Sequence, residues 1–194
     1  MTKKDIKQLL LDELYSYYKN CMRCPLGSLG RTQVVFGRGN ADAKLLLVGE
    51  APGRDEDLQG LPFVGRSGKL LMKILTELEI NTSEIYITNV VKCRPPENRT
   101  PLPEESLICT NLLLKKQIQV IAPLLICTLG SCATNLLLNS TSSISGLRGK
   151  LQQYDNIPLM PTYHPAYILR NPSKLSSLVA DLDYAKDYLH SHTK

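Results

Sequence analysis

Three short stretches of this 194-residue chain place reactive side chains where an apolar run stops. In "LLLVGEAPGRDED", residues 45 to 57, the run ends at Gly49 and is followed by Glu50 and a series of acids. In "IYITNVVKC" it ends on Thr88 and Asn89, and in "IPLMPTYHPAYILRNPS" on His164. A carboxylate can position water, an amide can donate and accept side by side, and an imidazole can donate to developing negative charge. Any one of these taken singly reads most simply as a cap or loop residue satisfied by backbone. Three of them converging on one crevice read as a site.

Six cysteines form the second chemical group. Cys127 lies in an apolar run and Cys132 opens a helical stretch, so both read as small core hydrophobes. Cys21, Cys24, Cys93 and Cys109 fall in polar or loop-rich surroundings, spaced C-x2-C, a long gap, then C-x15-C. In a chain expected to be cytosolic thiols stay reduced, which argues against a disulfide framework. Four thiolates suit structural zinc or a [4Fe–4S] cluster, and spacing does not choose between them. Either centre would staple the amino-terminal segment to the middle of the chain. Cys93 follows Asn89 by only four residues, so the centre would stiffen a loop beside the crevice.

The elements that must position these groups are readable in outline. The spacing predicts an amphipathic helix over residues 3 to 19, with Ile6, Leu9, Leu10, Leu14, Tyr17 and Tyr18 on its apolar face. Short apolar segments predict strands at Lys44 to Gly49, Ile85 to Val90, Pro123 to Leu129 and Ile157 to Tyr163. Helices are predicted over Gly68 to Leu78, Pro103 to Gln117, Ser131 to Leu138 and Lys174 to Leu189. Strands alternating with helices imply a parallel sheet covered on both faces, with ligands bound beyond the carboxyl ends of its strands. Glu50, Asn89 and His164 all stand at such ends.

Length and composition set the bounds. A chain this long is expected to form one domain over residues 1 to 194 and to bury roughly 70% of its unfolded surface. The net charge of +5 is compatible with a polyanionic partner but weak as a pointer to one. The first residues mix charges into their apolar positions, unlike a signal peptide, and no apolar run reaches the about 20 residues a bilayer span needs. A cytoplasmic protein, monomeric by default, is the expectation.

Five motifs in order then resemble a known family: GEAPG at 49 to 53, LPFVGRSG at 61 to 68, TNVVKCRPPENRTP at 88 to 101, LRGK at 147 to 150 and HPAYILR at 164 to 170. With the four cysteines they are similar to the family 4 uracil-DNA glycosylases, which carry an iron–sulfur cluster. The resemblance implies a three-layer α/β/α sandwich around a four-stranded parallel sheet. It implies a [4Fe–4S] cluster on Cys21, Cys24, Cys93 and Cys109. The reaction it implies is monofunctional hydrolysis of the N-glycosidic bond of uracil in DNA, using water and no lysine Schiff base.

Residue by residue, the resemblance makes Asn89 the reader of uracil's polar edge and His164 the donor to uracil O2. Phe63 by position alone reads equally as a stacking platform or a core plug; the resemblance favours stacking. Ala51 stands where the superfamily's best-known branch carries an aspartate for water, leaving Glu50 or Glu56 for that task. Glu50 is expected to position water or backbone, and Glu56 to line the pocket near uracil C5; Gly49 and Ala51 complete the pocket. Asp55 to Asp57 otherwise read as a solvated loop.

For DNA, Gly65, Ser67 and Gly68 precede a predicted helix whose first N–H groups suit a phosphate. Tyr167, Ile168 and Leu169 read as a wedge for the vacated base stack with Arg170 nearby, although Ile168 and Leu169 read equally as a core-facing first turn. Arg94, Arg99, Arg148 and Lys150 are further candidates for phosphate contact. The competing reading is a metal-stabilised DNA-binding module without catalysis, which would leave Asn89 and His164 without a role. The final "HSHTK" reads as a frayed end.

Overall fold

The computed structural model describes residues 1–192. Four strands run parallel through its centre: β2 (Leu45–Gly49), β3 (Ile85–Asn89), β4 (Leu125–Leu129) and β6 (Ile157–Thr162). Every residue of β2, β3 and β4 is buried. Strands covered on both faces read as unbroken apolar runs for that reason.

The sheet has six strands rather than the expected four. Its order is β1-β3-β2-β4-β6-β5, where β1 (Arg38–Gly39) pairs antiparallel with β3 and β5 (Gln152–Tyr154) antiparallel with β6. Both additions are two- or three-residue edges without an apolar run, so neither carries the pattern by which a strand is recognised.

Alternation along each strand feeds two cores. Leu46 and Val48 of β2 and Ile126 of β4 point to one face, with Leu11 and Tyr18 of α1 (Lys3–Tyr18), Ile118 and Ile121 of α5 (Lys115–Ile121) and Ala133 and Leu137 of α6 (Ser131–Leu138). Leu45 and Leu47 point to the other, with Leu71, Ile74 and Leu75 of α3 (Arg66–Glu77) and Leu178, Leu182 and Ala185 of α9 (Leu175–His192). Each fully buried aliphatic side chain contributes roughly 1.5–3 kcal/mol of transfer free energy. The helices following β2 and β4 thus lie on opposite faces, and between two such adjacent parallel strands the carboxyl-end crevice opens.

Helix α1 begins with a capping box, in which Thr2 Oγ1 accepts from the Asp5 N–H and Asp5 accepts from the Thr2 N–H. Its buried stripe matches the predicted one only at Leu14 and Tyr18. Lys7, Leu11 and Tyr18 face inward with Leu14 partly buried, while Ile6, Leu9, Leu10 and Tyr17 are exposed. The lysine belongs inside because its Nζ donates to Asp42 Oδ1 and to the Ile121 carbonyl, each at 2.6 Å.

Three short helices extend the outline: α2 (Arg54–Gln59), α7 (Ile144–Leu147) and α8 (Pro165–Arg170). The segment predicted as one helix from Pro103 is α4 (Pro103–Cys109) continued through a π-helical stretch, Thr110–Leu114, into α5. The expected frayed end is helical through His192; Thr193 and Lys194 lie outside the described residues. Among the described residues no helix is long and apolar enough to cross a membrane.

Candidate active site

The carboxyl ends of β2, β3 and β6 open onto one cavity of about 500 Å³, lined by Glu50, Ala51, Glu56, Phe63, Ser67, Asn89, Tyr163, His164, Tyr167 and Arg170 among others. At its floor three residues interlock. A Cβ on Gly49 would sit 2.4 Å from Asn89 Oδ1 and 2.6 Å from Phe63 Cζ, so only a glycine lets the amide and the ring meet over the end of β2. Asn89 is buried, and its Oδ1 has no hydrogen-bond partner. A buried amide oxygen left open is uncommon in a settled core and is what a site awaiting a donor presents.

Phe63 is buried and joins the core cluster under α3, so its ring packs as well as lining the cavity. Its φ of 54° is left-handed, held by the Arg38 guanidinium donating to its carbonyl at 3.1 Å. Gly68 permits that path, since a Cβ there would lie 2.2 Å from the Phe63 backbone. The Phe63 and His164 rings lie 5.9 Å apart between centroids, inclined by 32°.

His164 caps α8, and its Nδ1 accepts the Ala166 N–H at 3.0 Å. A nitrogen that accepts carries no proton, so the neutral ring holds its proton on Nε2. Burial, with the Arg170 charge adding to it, pushes the imidazole down to about 4. At neutral pH the cavity therefore contains an uncharged N–H donor of fixed tautomer.

The two glutamates differ in what holds them. Burial raises the Glu50 carboxyl above the usual carboxylate range, opposed by a hydrogen bond from Thr100. Glu56 lines the cavity, but its carboxylate is committed to backbone: Oε1 accepts from the Val64 and Gly65 N–H groups at 3.0 and 2.8 Å, and Oε2 from the Gly53 N–H at 3.1 Å. It staples the GEAPG turn to the loop carrying Phe63. Asp57 is no solvated loop residue either; it is buried in α2 and accepts the Thr32 N–H with both oxygens.

Of the residues expected at DNA, Ser67, Tyr167 and Arg170 reach the cavity, while Leu169 and Arg170 are exposed on α8. Tyr167 stacks on Tyr163 at 5.1 Å. Ile168 is no wedge: at 3% exposed it packs into the core under α3 and α9. Gly68 lies inside the first turn of α3 as a packing residue, and the Gly65 N–H is taken by Glu56.

Two arginines considered for phosphate are paired with carboxylates, although Arg99 also lines the cavity. Arg148 donates to both oxygens of buried Asp181, which also accepts from Thr162. Arg99 forks onto Glu105 at 2.9 and 2.8 Å. Arg94 donates to Asn98, and Lys150 to the Gly146 carbonyl, both near the surface.

Cys21, Cys24, Cys93 and Cys109 line a second, small cavity together with Arg23, Val34 and Lys92. Among the described residues no trio of cysteine, histidine or acidic side chains is close enough to hold a single metal ion. The donor set nevertheless fits a cluster: four thiols around one space, with cations at hand. Arg31 donates to Cys93 Sγ at 3.1 Å. Burial pushes the Cys93 thiol up to about 11 and that of Cys109 up to about 12, opposed by Arg31 at the first and by Lys92 at the second. Thiolates here therefore need a cationic partner. Cys127 packs in the core, and Cys132 is half-buried near Glu50.

Sequence reasoning missed Tyr163, Thr100 and Ser131 on the cavity wall, and Arg31 and Lys92 beside the cysteines. One signal was available for Lys92, a lysine inside the apolar run that leads directly into Cys93. Arg31 offers none, because it approaches Cys93 from 62 residues away.

Comparison with known proteins agrees with this geometry. The model of the Uracil DNA glycosylase superfamily matches residues 36–187. The chain is 43% identical over 187 residues to a type-4 uracil-DNA glycosylase of Thermotoga maritima, covering 94% of this chain and 96% of that protein. It is 40% identical to type-4 uracil-DNA glycosylases of Saccharolobus solfataricus (93% and 87% covered) and Archaeoglobus fulgidus (84% of each). Similarity of this extent, over nearly the whole length of each partner, means that the chain belongs to the uracil DNA glycosylase superfamily and to its type-4 branch.

Proposed function

We propose that this chain removes uracil from DNA as a single-domain, monomeric glycosylase, hydrolysing the N-glycosidic bond to leave an abasic site and so initiating base excision repair. The observation that carries the reading is the buried, unpartnered Oδ1 of Asn89 in the same cavity as the neutral His164. That oxygen suits uracil N3–H, and the amide's N–H suits uracil O4; cytosine offers the reverse pattern.

The target nucleotide must leave the duplex, at a cost of a few kcal/mol, to reach such a cavity. Phe63 then offers its ring as a stacking platform for the base, and Tyr167, Leu169 and Arg170 lie at the rim toward the strand. As the bond to C1′ breaks, negative charge grows on the uracil, and His164 Nε2–H donates to O2. A neutral donor suits this task, because it carries its N–H at neutral pH without first taking up a proton from solvent. Glu50 orients water against the sugar, while Glu56 keeps the two pocket loops in register.

In the same reading Cys21, Cys24, Cys93 and Cys109 hold a [4Fe–4S] cluster. When bound it supplies a cross-link between the end of α1, the loop after β3 and α4, and it takes no part in bond cleavage. The test is alkali-developed cleavage of a labelled strand bearing one uracil, without added metal, by the native chain and by His164→Ala. Cleavage that collapses in the variant is expected. A folded, iron-loaded native chain that leaves the strand intact would overturn the proposal.

A further inference from the structure

Lys92 is wholly buried, the bulkiest side chain in that condition among the described residues. A buried ammonium persists only where acceptors and counter-charge surround it. Its Nζ donates to two oxygens, Thr88 Oγ1 and the Asn89 carbonyl, each at 2.6 Å. Both belong to the end of β3. Thr88 Oγ1 in turn lies 2.8 Å from the Phe36 carbonyl, which also receives the Gln117 amide. The other side of Lys92 lines the cysteine cavity.

One side chain thus spans the distance between the thiols and the residue that faces the base. Asn89 has no hydrogen bond fixing its Oδ1, so the amide is aimed by packing against Gly49 and Phe63 and by the backbone from which it projects. That backbone is what Lys92 holds.

We propose that Lys92 is a positioning residue coupling the cysteine centre to Asn89: the negative charge of the loaded centre balances the buried ammonium, and the ammonium clamps the Asn89 carbonyl and with it the amide that reads the base. The inference rests on the reading that the four cysteines hold an iron–sulfur cluster. It gives that cluster a task at the base-reading end of the site beyond cross-linking the chain, without placing it in the reaction.

The experiment uses the full-length, iron-loaded chain and Lys92→Met, which keeps the length of the side chain and removes its charge. Iron per chain and visible absorption are read first, on the native protein. Cluster midpoint potential, single-turnover uracil release and half-saturating DNA concentration follow on both. Loss of a neighbouring cation disfavours the more negative, reduced cluster, so the potential shifts to a more negative value. Uracil release falls about tenfold or more, as for other outer partners of metal ligands, at unchanged half-saturation.

An iron-loaded Lys92→Met that keeps the native rate, or loses rate with no movement of the potential, overturns the coupling. Should Lys92→Met fail to fold, Thr88→Val removes one of the two anchors and retains the charge. It is expected to slow release about threefold at unchanged half-saturation, and a native rate overturns the proposal. A folded native chain without iron–sulfur absorption overturns the cluster reading and the coupling together, and is recognised before any variant is compared.

Discussion

At the ends of β2, β3 and β6 two polar groups are left open to a ligand, while around the cysteines and along the flank Arg31, Lys92 and Arg148 are paired. Asn89 Oδ1 lacks a partner, and the ring proton of His164 falls on Nε2 because Nδ1 already accepts the Ala166 N–H. Beside the cysteines Arg31 lies on a sulfur and Lys92 on two oxygens; on the flank Arg148 is matched to Asp181, and on the cavity wall Arg99 to Glu105. The difference teaches where ligand recognition resides. Open neutral groups await a ligand, whereas paired charges maintain the frame, even where an arginine lines the cavity as Arg99 does.

Substitutions can break this contrast, beginning with the strongest. His164→Ala removes the donor to the leaving base and should lower single-turnover uracil release about 10²–10³-fold, with DNA binding little changed. Asn89→Asp exchanges the amide N–H for a second acceptor facing uracil O4, and a loss of roughly a hundredfold is expected by the same assay. Gly49→Ala, which forces a methyl against Asn89 and Phe63, should cost about tenfold in rate and about 1–3 kcal/mol in stability, read by denaturant titration.

Arg148→Met sharpens the contrast from the other side. It strands buried Asp181, so about 3 kcal/mol of stability should disappear while uracil release and the salt dependence of DNA binding stay within twofold of native. A salt slope lowered by about one would instead place Arg148 on a phosphate.

The smallest effect is one of pH. An ordinary histidine would impose an acid limb near pH 6.5, but His164 is held at about 4, so its donor persists through mildly acidic solution. The uracil-release profile should therefore show no His164 limb between about pH 5.5 and 7.5. For stability the sign is fixed by the same depression: the unfolded chain takes its proton first, so the contribution of this group is full above about 6.5 and is lost as pH falls toward 4.

Much of this arrangement is legible in the sequence, for reasons that can be named. Strands buried on both faces leave continuous apolar runs, and the residue after each run stands at the crevice, which is why Glu50, Asn89 and His164 can be picked out together. The edge strands Arg38–Gly39 and Gln152–Tyr154 leave no such trace. Charge is where reading fails. Asp57 and Glu56 look solvated until their backbone partners are known, and Lys7 breaks an apolar stripe that it in fact belongs to. Nor can composition tell that Ile168 turns inward while Leu169 turns out, since a six-residue helix offers both faces equally.

The most direct test of the central claim is base discrimination by the crevice itself. Strands identical except for one uracil, thymine or cytosine would be offered in single turnover to the native chain and to Asn89→Asp. The account predicts release of uracil alone by the native chain and its loss in the variant. Comparable release of thymine or cytosine by the native chain, or undiminished uracil release by Asn89→Asp, would contradict it.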